Sequence, residues 1–194
     1  MGRARRKGGP ARLAAYAQRR AVGYVNAYRE RGNAAMVVYD DYGKGGARAS
    51  DALAALLAAS PYLTENAPAL QQYLLQYPRS RPPGASDIIY WSLEAMKGLR
   101  PTFTINHLVV LTPPGRPNMT VAVTTQLFAD HYFEGMLDER IAVDRGDVSG
   151  GGFYLMVLRQ YRFDNLPGGI LKIRERAMSA LHDRVDAELR RMQK

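Results

Sequence analysis

The last third of the chain constrains the fold most, because it alternates apolar and polar residues over four segments and then changes to a helical period. Thr102–Leu111, Thr120–Phe128, His131–Val143 and Phe153–Phe163 each predict a β-strand whose side chains point to two faces in turn. Apolar residues from Ile170 to Met192 recur every three or four positions, which predicts an amphipathic helix of about seven turns. We therefore expect an α+β fold in which a curved antiparallel sheet packs on a long C-terminal helix and encloses a ligand cavity.

The part of the chain before Pro101 has a mainly helical pattern. Apolar residues at helical spacing predict helices at Ala11–Arg31, Ser50–Leu57 and Pro68–Tyr77, and a short apolar run predicts a strand at Ala34–Asp40. Ser86–Lys97 is predicted as a further helix, although its run of two isoleucines, a tyrosine and a tryptophan leaves the start of a strand open. Additional N-terminal helices are thus expected beside the sheet.

The length of 194 residues fits one domain preceded by a short arm. We expect residues 1–10 to form a basic flexible arm and residues 11–194 to form a single α+β domain. Within that domain, residues 11–100 supply the mainly helical part, and residues 101–194 supply the β meander and the C-terminal helix. A chain of this size buries about two-thirds of its unfolded surface, so its stability requires neither a disulfide nor a metal.

The absence of cysteine excludes several kinds of chemistry. Disulfides, thiolate nucleophiles, cysteine zinc sites and iron–sulfur clusters all need thiols. The three histidines show no metal-ligand spacing, and the sequence contains neither a nucleophile elbow nor a complete phosphate-binding loop. We therefore expect no metal and no cofactor, and the sequence leaves open whether the protein is an enzyme.

The net charge of +9 is concentrated at the amino terminus. Seven basic residues lie between Arg3 and Arg20, no acid occurs before Glu30, and the chain after Arg20 has 20 basic residues against 18 acidic ones. Such an arm can bind an anionic membrane surface, but a solvated and partly disordered end is the interpretation that the sequence favours. Nucleic acid is not expected as a partner, because no aromatic residue is interleaved with the basic ones before Tyr16.

The sequence predicts no membrane span and no signal peptide. No segment approaches the ~18 consecutive apolar residues of a spanning helix. The basic start is not followed by an uninterrupted apolar segment, as a signal peptide would require. This pattern indicates a cytoplasmic protein, or a periplasmic or exported one if a signal peptide has been removed.

Two of the predicted strands supply candidate walls for the ligand cavity. On each strand, the apolar residues that alternate along one face are candidates: Phe103, Ile105 and Val109 on the first, and Phe153, Leu155 and Val157 on the last. Aliphatic and aromatic side chains of this kind usually line the sites of hydrophobic ligands.

Three polar residues are candidates for orienting the head of such a ligand. His107 shares a face with the apolar residues of the first strand, so it is either a polar anchor or general base, or a core histidine bonded to a neighbouring group. Tyr132 offers a hydroxyl on an aromatic ring. Arg159 follows the apolar face of the last strand, and if buried it needs an acid, for which Glu139 and Asp164 are the candidates.

Several motifs resemble a family of uncharacterised bacterial proteins that share a YWS…GLKPT…NHL pattern. Tyr90–Ser92, Gly98–Thr102 with arginine in place of the lysine, and Asn106–Leu108 match this pattern. Ala129–Phe133 resembles a shared run that ends in HYF. These motifs carry no assigned chemistry. Because members of the family often have export signals, the resemblance implies a location outside the cytoplasm.

More distantly, the strand meander with a long final helix is similar in topology to the helix-grip fold of START and polyketide-cyclase-like proteins. That superfamily binds lipids, sterols or aromatic polyketides between its sheet and its helix. The likeness therefore implies a hydrophobic ligand, and it assigns no individual residues.

Three functions follow as hypotheses. The first is binding or transport of a lipid-like or aromatic molecule in a cavity between the sheet and the C-terminal helix. The second is a cyclase or dehydratase on the same scaffold, in which His107 or His131 acts as the base and both lie near the ligand. The third is binding to an anionic surface through the basic arm.

Overall fold

The structure is a computed structural model that describes residues 9–40, 46–95, 100–146, 152–163 and 173–192. It contains a helical first half, an antiparallel sheet and a final helix, so the α+β class expected from the sequence is confirmed.

The described part of the chain contains five α-helices and one 3-10 helix. They are α1 (Gly9–Arg31), a 3-10 helix at Gly32–Ala35, α2 (Ala49–Ala58), α3 (Pro61–Asn66), α4 (Pro68–Gln76) and α5 (Ile173–Met192). Both α3 and α4 begin with proline in the first turn, where the missing N–H costs no hydrogen bond. The side chain of Ser60 caps α3 by accepting a hydrogen bond from the Leu63 amide.

The strands form two sheets. A small ribbon pairs β1 (Val38–Tyr39) with β2 (Ala47–Arg48). The main sheet has five antiparallel strands in sequence order: β3 (Ser86–Glu94), β4 (Thr102–Leu111), β5 (Met119–Ala129), β6 (Phe133–Asp144) and β7 (Phe153–Phe163). Each strand pairs with the next one along the chain, so the main sheet is an uninterrupted meander.

The sequence predicts β4 and β7 residue for residue, and β5 and β6 within two residues at each end. The predicted helix at Ser86–Lys97 is wrong: Ser86–Glu94 is strand β3, paired along its whole length with β4. The sheet therefore begins before Pro101. The predicted strand at Ala34–Asp40 is mostly wrong as well, because a 3-10 helix occupies its start and only two residues extend as β1.

The main sheet has two faces that contact different helices. One, which we call the helical face, carries Ile105, His107 and Val109 of β4 and packs against α1, α2 and α4. The other, which we call the α5 face, carries Leu108 of β4 and Arg159 of β7, and the carboxylate of Glu188 on α5 binds that arginine. Side chains of the central strands are therefore buried on both sides.

Aromatic residues of α1 and α4 join the helices to the helical face. The hydroxyl of Tyr24 donates a hydrogen bond of 2.6 Å to the Leu127 carbonyl of β5. The ring of Tyr28 stacks on Tyr77 with the ring centroids 4.5 Å apart. Tyr28 and Tyr77 both belong to the main buried cluster. Large aromatic side chains bury much apolar surface, so they contribute strongly to the stability of such a cluster.

Gly32 directly follows α1 and lies close to the segment after α4. Its φ of +62° lies in the left-handed region, which glycine adopts without steric cost. A Cβ placed on Gly32 would lie 1.6 Å from the carbonyl oxygen of Tyr77, which is backbone and cannot rotate away. Both the left-handed backbone conformation and the close approach of the Tyr77 carbonyl therefore require glycine at this position.

We expect Gly32→Ala to lower the free energy of unfolding by more than the ~1 kcal/mol of the φ penalty alone, because the backbone must also shift to relieve the clash. Gly23→Ala is the matched control. Gly23 lies inside α1, a Cβ added there would meet no atom within 4 Å, and alanine should stabilise the protein by about 0.5–1 kcal/mol. Urea denaturation of the three proteins measures both effects, and equal behaviour of the two variants would contradict this account.

Candidate functional site

Four charged side chains form a cluster on the α5 face. Asp138 of β6 accepts a hydrogen bond of 2.9 Å from Nε of Arg159 on β7, and two of 3.2 Å from Arg140 on its own strand. Glu188 of α5 bridges the two arginines, 2.7 Å from Nη2 of Arg140 and 3.2 Å from Nη2 of Arg159. The cluster therefore links the sheet to α5 through alternating charges.

Burial makes the Asp138–Arg159 pair the fixed part of this cluster. The side chains are only 9% and 8% exposed, respectively, whereas Arg140 and Glu188 are about one-third exposed. Burial alone would lower the pKa of Arg159, but Asp138, Tyr161 and Glu188 together raise it above its ordinary value. Arg159 therefore stays positively charged in a largely buried environment, where its charge-assisted hydrogen bonds are strong.

A hollow of about 330 Å³ lies between β7 and α5. Most of its walls are apolar, with Val157 and Phe163 on the strand and Met178, Leu181 and Val185 on the helix. A second hollow of about 340 Å³ lies over β3–β7 and is lined by residues that include Tyr90, Leu108, Thr124, Met136 and Arg140. The two hollows share Arg159 and Tyr161 as walls, so an apolar site and a charged site adjoin.

Two buried amide groups add polar capacity to the same face. Asn106 of β4 and Gln126 of β5 are register partners. They lie two positions along their strands from Leu108 and Thr124, which line the second hollow. Oδ1 of Asn106 and Nε2 of Gln126 are buried without a hydrogen-bond partner among the described residues. An unpaired buried polar group costs about 1–3 kcal/mol, so these two atoms are a local cost to stability close to the second hollow, although neither residue lines it.

The structure divides the apolar residues that the sequence assigns to one cavity. Val157 lines the hollow beneath α5, and Leu155 and the exposed Phe153 alternate with it along the same face of β7. Ile105 and Val109 instead belong to the buried cluster on the helical face, and the half-buried Phe103 packs against it. We therefore correct the prediction of a single shared cavity, because the two sets of side chains lie on opposite faces of the sheet.

The three polar candidates are also separated. Arg159 lies in the charged cluster, at the junction of the two hollows. Tyr132 lies in the turn between β5 and β6 with a φ of +69°, and its ring packs against a cluster that includes Leu181 of α5. His107 is fully buried on the helical face. Arg159 and Tyr132 are thus brought to the α5 side, and His107 is not.

His107 is held at both ring nitrogens. Its Nδ1 lies 3.0 Å from the hydroxyl of Tyr28, and its Nε2 lies 3.2 Å from Oδ2 of Asp87. Burial lowers the pKa of His107, and the nearby Asp87 opposes this shift without cancelling it. The neutral imidazole therefore donates from Nε2 to Asp87 and accepts from Tyr28, and it is a core histidine satisfied by its neighbours.

His131 does not join His107. It lies in the turn after β5, where its Nδ1 is 2.6 Å from Oδ1 of Asp130 and its Nε2 is 3.5 Å from the hydroxyl of Thr102 at the start of β4. His107 is five residues further along that strand, a distance of about 17 Å at the rise of an extended chain. The two histidines therefore cannot share a ligand as the enzyme hypothesis requires.

The acid that pairs with Arg159 also differs from the candidates. Asp138 supplies the carboxylate, and Asp164 lies outside the described residues. Glu139 points to the helical face, where it is fully buried and its Oε2 accepts a hydrogen bond of 2.7 Å from Ser60. Its Oε1 has no partner among the described residues, and burial raises the pKa of Glu139.

Neither a metal site nor a membrane-spanning helix is found in the part of the chain that the structure describes. No group of three or more histidine, aspartate or glutamate side chains there could hold a metal ion. No described helix is long and apolar enough to cross a membrane.

Comparison of the chain with models of protein families, with curated proteins and with solved structures finds no match. The resemblance to the bacterial family that shares the YWS and NHL motifs therefore stays a prediction. Any function must be inferred from the geometry of this chain alone.

We expect Glu139→Gln to gain stability relative to the unsubstituted protein as the pH rises above about 4.5, the ordinary pKa of a glutamate side chain. A carboxyl whose folded pKa is raised contributes its full stability below its unfolded pKa and loses it as the pH rises towards the folded pKa. The glutamine side chain cannot ionise, so the variant escapes this loss. Urea denaturation between pH 4 and pH 7.5 measures the difference.

Asp144→Asn is the matched control for this experiment, because Asp144 is exposed at the end of the same strand. Its effect on stability should change little over the same range. A constant difference between Glu139→Gln and the unsubstituted protein would show that the Glu139 carboxyl ionises without cost and would contradict its burial.

Proposed function

We propose that the protein binds a small amphipathic ligand between the main sheet and α5, with an apolar body beneath the helix and a polar head beside Arg159. The observation that carries this proposal is the hollow of about 330 Å³ between β7 and α5, whose walls are mostly apolar, with His182 and Asp186 as polar exceptions on the helix, and which adjoins a charged cluster at Arg159. This volume lies at the lower end of the range of small-molecule sites.

The apolar walls favour a ligand with an aliphatic or aromatic body. Val157, Leu181 and Val185 offer aliphatic surface, and Phe163 offers a ring. Each CH₂ group transferred from water into such a site contributes about 0.8 kcal/mol. A chain or ring system of modest size therefore gains enough free energy to bind without a covalent bond.

The charged cluster favours a polar head that exchanges hydrogen bonds with its side chains. Arg140 and Arg159 are balanced by Asp138 and Glu188, so the cluster carries no net charge. A carboxylate head can bind Arg140 in exchange for Glu188, the more exposed of the two acids.

This proposal includes the helix-grip arrangement that the sequence suggests. In that arrangement α5 covers one face of the sheet and the ligand lies beneath it. The contacts of Leu181 with the aromatic cluster at the end of β7, and of Glu188 with the arginines, support such a placement. The cyclase or dehydratase alternative has no comparable support, because His107 is buried on the other face.

The test is binding of a fluorescent fatty acid, such as dansyl-undecanoate, and its displacement by dodecanoate. We expect Val185→Trp to weaken binding by about tenfold or more, because the indole fills part of the apolar hollow. Leu189→Trp is the matched control, since Leu189 lies on the same helix, is exposed and does not line the hollow. Unchanged affinity in Val185→Trp, or no saturable binding in the unsubstituted protein, would contradict the proposal.

A second candidate function is binding to an anionic membrane surface, and a specific feature of α1 favours it. From Ala11 to Arg20 the side chains are exposed, apart from a half-buried Ala15, so this half of the helix projects from the body. Leu13 is 69% exposed and Tyr16 is 51% exposed, between arginines at positions 12, 19 and 20. Isolated helices of this length are marginal in water, and an anionic interface would stabilise this one.

Exposed apolar residues continue from α1 onto the edge of the sheet. Val22 of α1 and Trp91 of β3 line one groove, and Trp91 is largely exposed. Tryptophan is well suited to a membrane interface because its ring is apolar and its N–H is polar. The basic and apolar features thus lie on adjoining surfaces.

Sedimentation with vesicles of phosphatidylcholine, with and without 30% phosphatidylserine, tests this candidate. We expect salt-sensitive binding only to the anionic vesicles, weakened about a hundredfold by the triple variant R12Q/R19Q/R20Q, since each arginine near an anionic surface contributes about 1 kcal/mol. The triple variant R48Q/R79Q/R100Q changes the net charge equally and is the control. Equal loss in both triple variants would show a general effect of charge and would reject α1 as the docking element.

A further inference from the structure

A pocket on the helical side of the sheet is separate from the hollows beneath α5. It lies where the end of α1, the end of α4 and the start of β3 meet, and it has a volume of about 360 Å³. Its walls include Arg29, Tyr73, Tyr77, Arg81, Asp87 and Ile89. We propose that this pocket binds a small organic anion through Arg29, Arg81 and the hydroxyl of Tyr77.

The floor of the pocket is rigid because Asp87 is held from three directions. Its Oδ2 accepts hydrogen bonds of 3.2 Å from Nε2 of His107 and from the hydroxyl of Tyr73, and its Oδ1 lies 3.1 Å from Nη2 of Arg81. His107 is fixed in turn by Tyr28 of α1. This chain of buried hydrogen bonds connects α1, α4, β3 and β4, so the groups that face the pocket are positioned before any ligand arrives.

Arg81 is oriented by its own loop. Its Nε and Nη2 donate hydrogen bonds of 3.2 and 2.8 Å to the carbonyl oxygen of Ala85. Together with the bond to Asp87, these contacts hold the plane of the guanidinium. Its remaining nitrogen, Nη1, has no hydrogen bond to any described residue and is therefore a donor for a ligand.

Arg29 and Tyr77 supply two more donors without partners in the described part of the chain. Arg29 is exposed in the last turn of α1, and no hydrogen bond or ion pair to a described residue engages it. The ring of Tyr77 is fixed between Tyr28 and His107, yet its hydroxyl makes no hydrogen bond to a described residue. A fixed ring with a free hydroxyl at a pocket wall is typical of a ligand contact.

The charge of the pocket selects an anion. Two guanidinium groups face it against the single carboxylate of Asp87, and His107 behind that carboxylate is neutral, so one positive charge remains uncompensated. Arginine binds carboxylates and phosphates with paired, charge-assisted hydrogen bonds. Ile89 adds an apolar wall that suits a ring or a short aliphatic body. The ligand is thus a small carboxylate or phosphate ester, on the opposite side of the sheet from the amphipathic ligand proposed above.

Isothermal titration calorimetry at low ionic strength with benzoate, phenyl phosphate and benzamide tests this proposal on the full chain. The three probes share one ring, so the two anions identify the preferred head and the neutral amide measures binding by the ring alone. We expect saturable binding of at least one anion with a Kd of about 1 mM or tighter, and no measurable binding of benzamide.

Arg29→Gln should weaken that binding by about tenfold, and Tyr77→Phe should weaken it by about threefold to tenfold while leaving the ring packing in place. Arg12→Gln is the matched control, because it removes the same charge from the exposed part of the same helix. Equal weakening by Arg12→Gln, or no anion binding at about 10 mM, would overturn the proposal. Val185→Trp should not change anion binding, which distinguishes this pocket from the hollow beneath α5.

Discussion

The structure depends on a single constraint, which is that each central strand of the main sheet must divide its side chains between the helical face and the face that carries the charged cluster. The run Leu137–Ile141 of β6 shows the consequence, because it contains Asp138, Glu139 and Arg140 in succession. Adjacent strand residues point to opposite faces, so no register can place all three on one side. The chain places the two that can pair, Asp138 and Arg140, on the α5 face and places Glu139 against Ser60. Because Asp138 and Arg140 lie on one face, Glu139 between them must lie on the other face, where it is fully buried.

Period-two alternation predicts the strands well where one face is mostly apolar, as in β4 and β7. It fails for β3 because this edge strand has apolar residues on both faces, from Ile88 to Trp91, and so has no period to detect. The pairing of β3 with β4 extends over nine residues and overrides the local ambiguity. The YWS motif, which the sequence alone leaves between helix and strand, lies in this pairing.

Alternation also explains why the candidate site was only half predictable. It shows that Phe103, Ile105 and Val109 share a face, and that Leu155 and Val157 share a face, but it does not show which faces correspond across three intervening strand pairs. The register decides this: Val109 opposes Val123, Val123 opposes Glu139, and Glu139 opposes Leu158. Val157, the neighbour of Leu158, therefore points the other way. The contact between Tyr28 and His107, 79 residues apart in sequence, was likewise beyond any local pattern.

The two sides of the sheet differ in how firmly their helices are attached, and this difference bears on how a ligand enters. On the helical face, α1, α2 and α4 contribute many buried residues to one cluster, so separating them from the sheet would expose a large apolar surface. Among the described side chains of α5, Leu181 alone is buried, and Glu188 adds two partly exposed ion pairs. Exposed pairs of this kind contribute about 0–1 kcal/mol each. Displacing α5 therefore costs far less than opening the helical face, so the ligand proposed for the hollow would enter between α5 and β7, whereas the pocket beside Asp87 is held by the buried core.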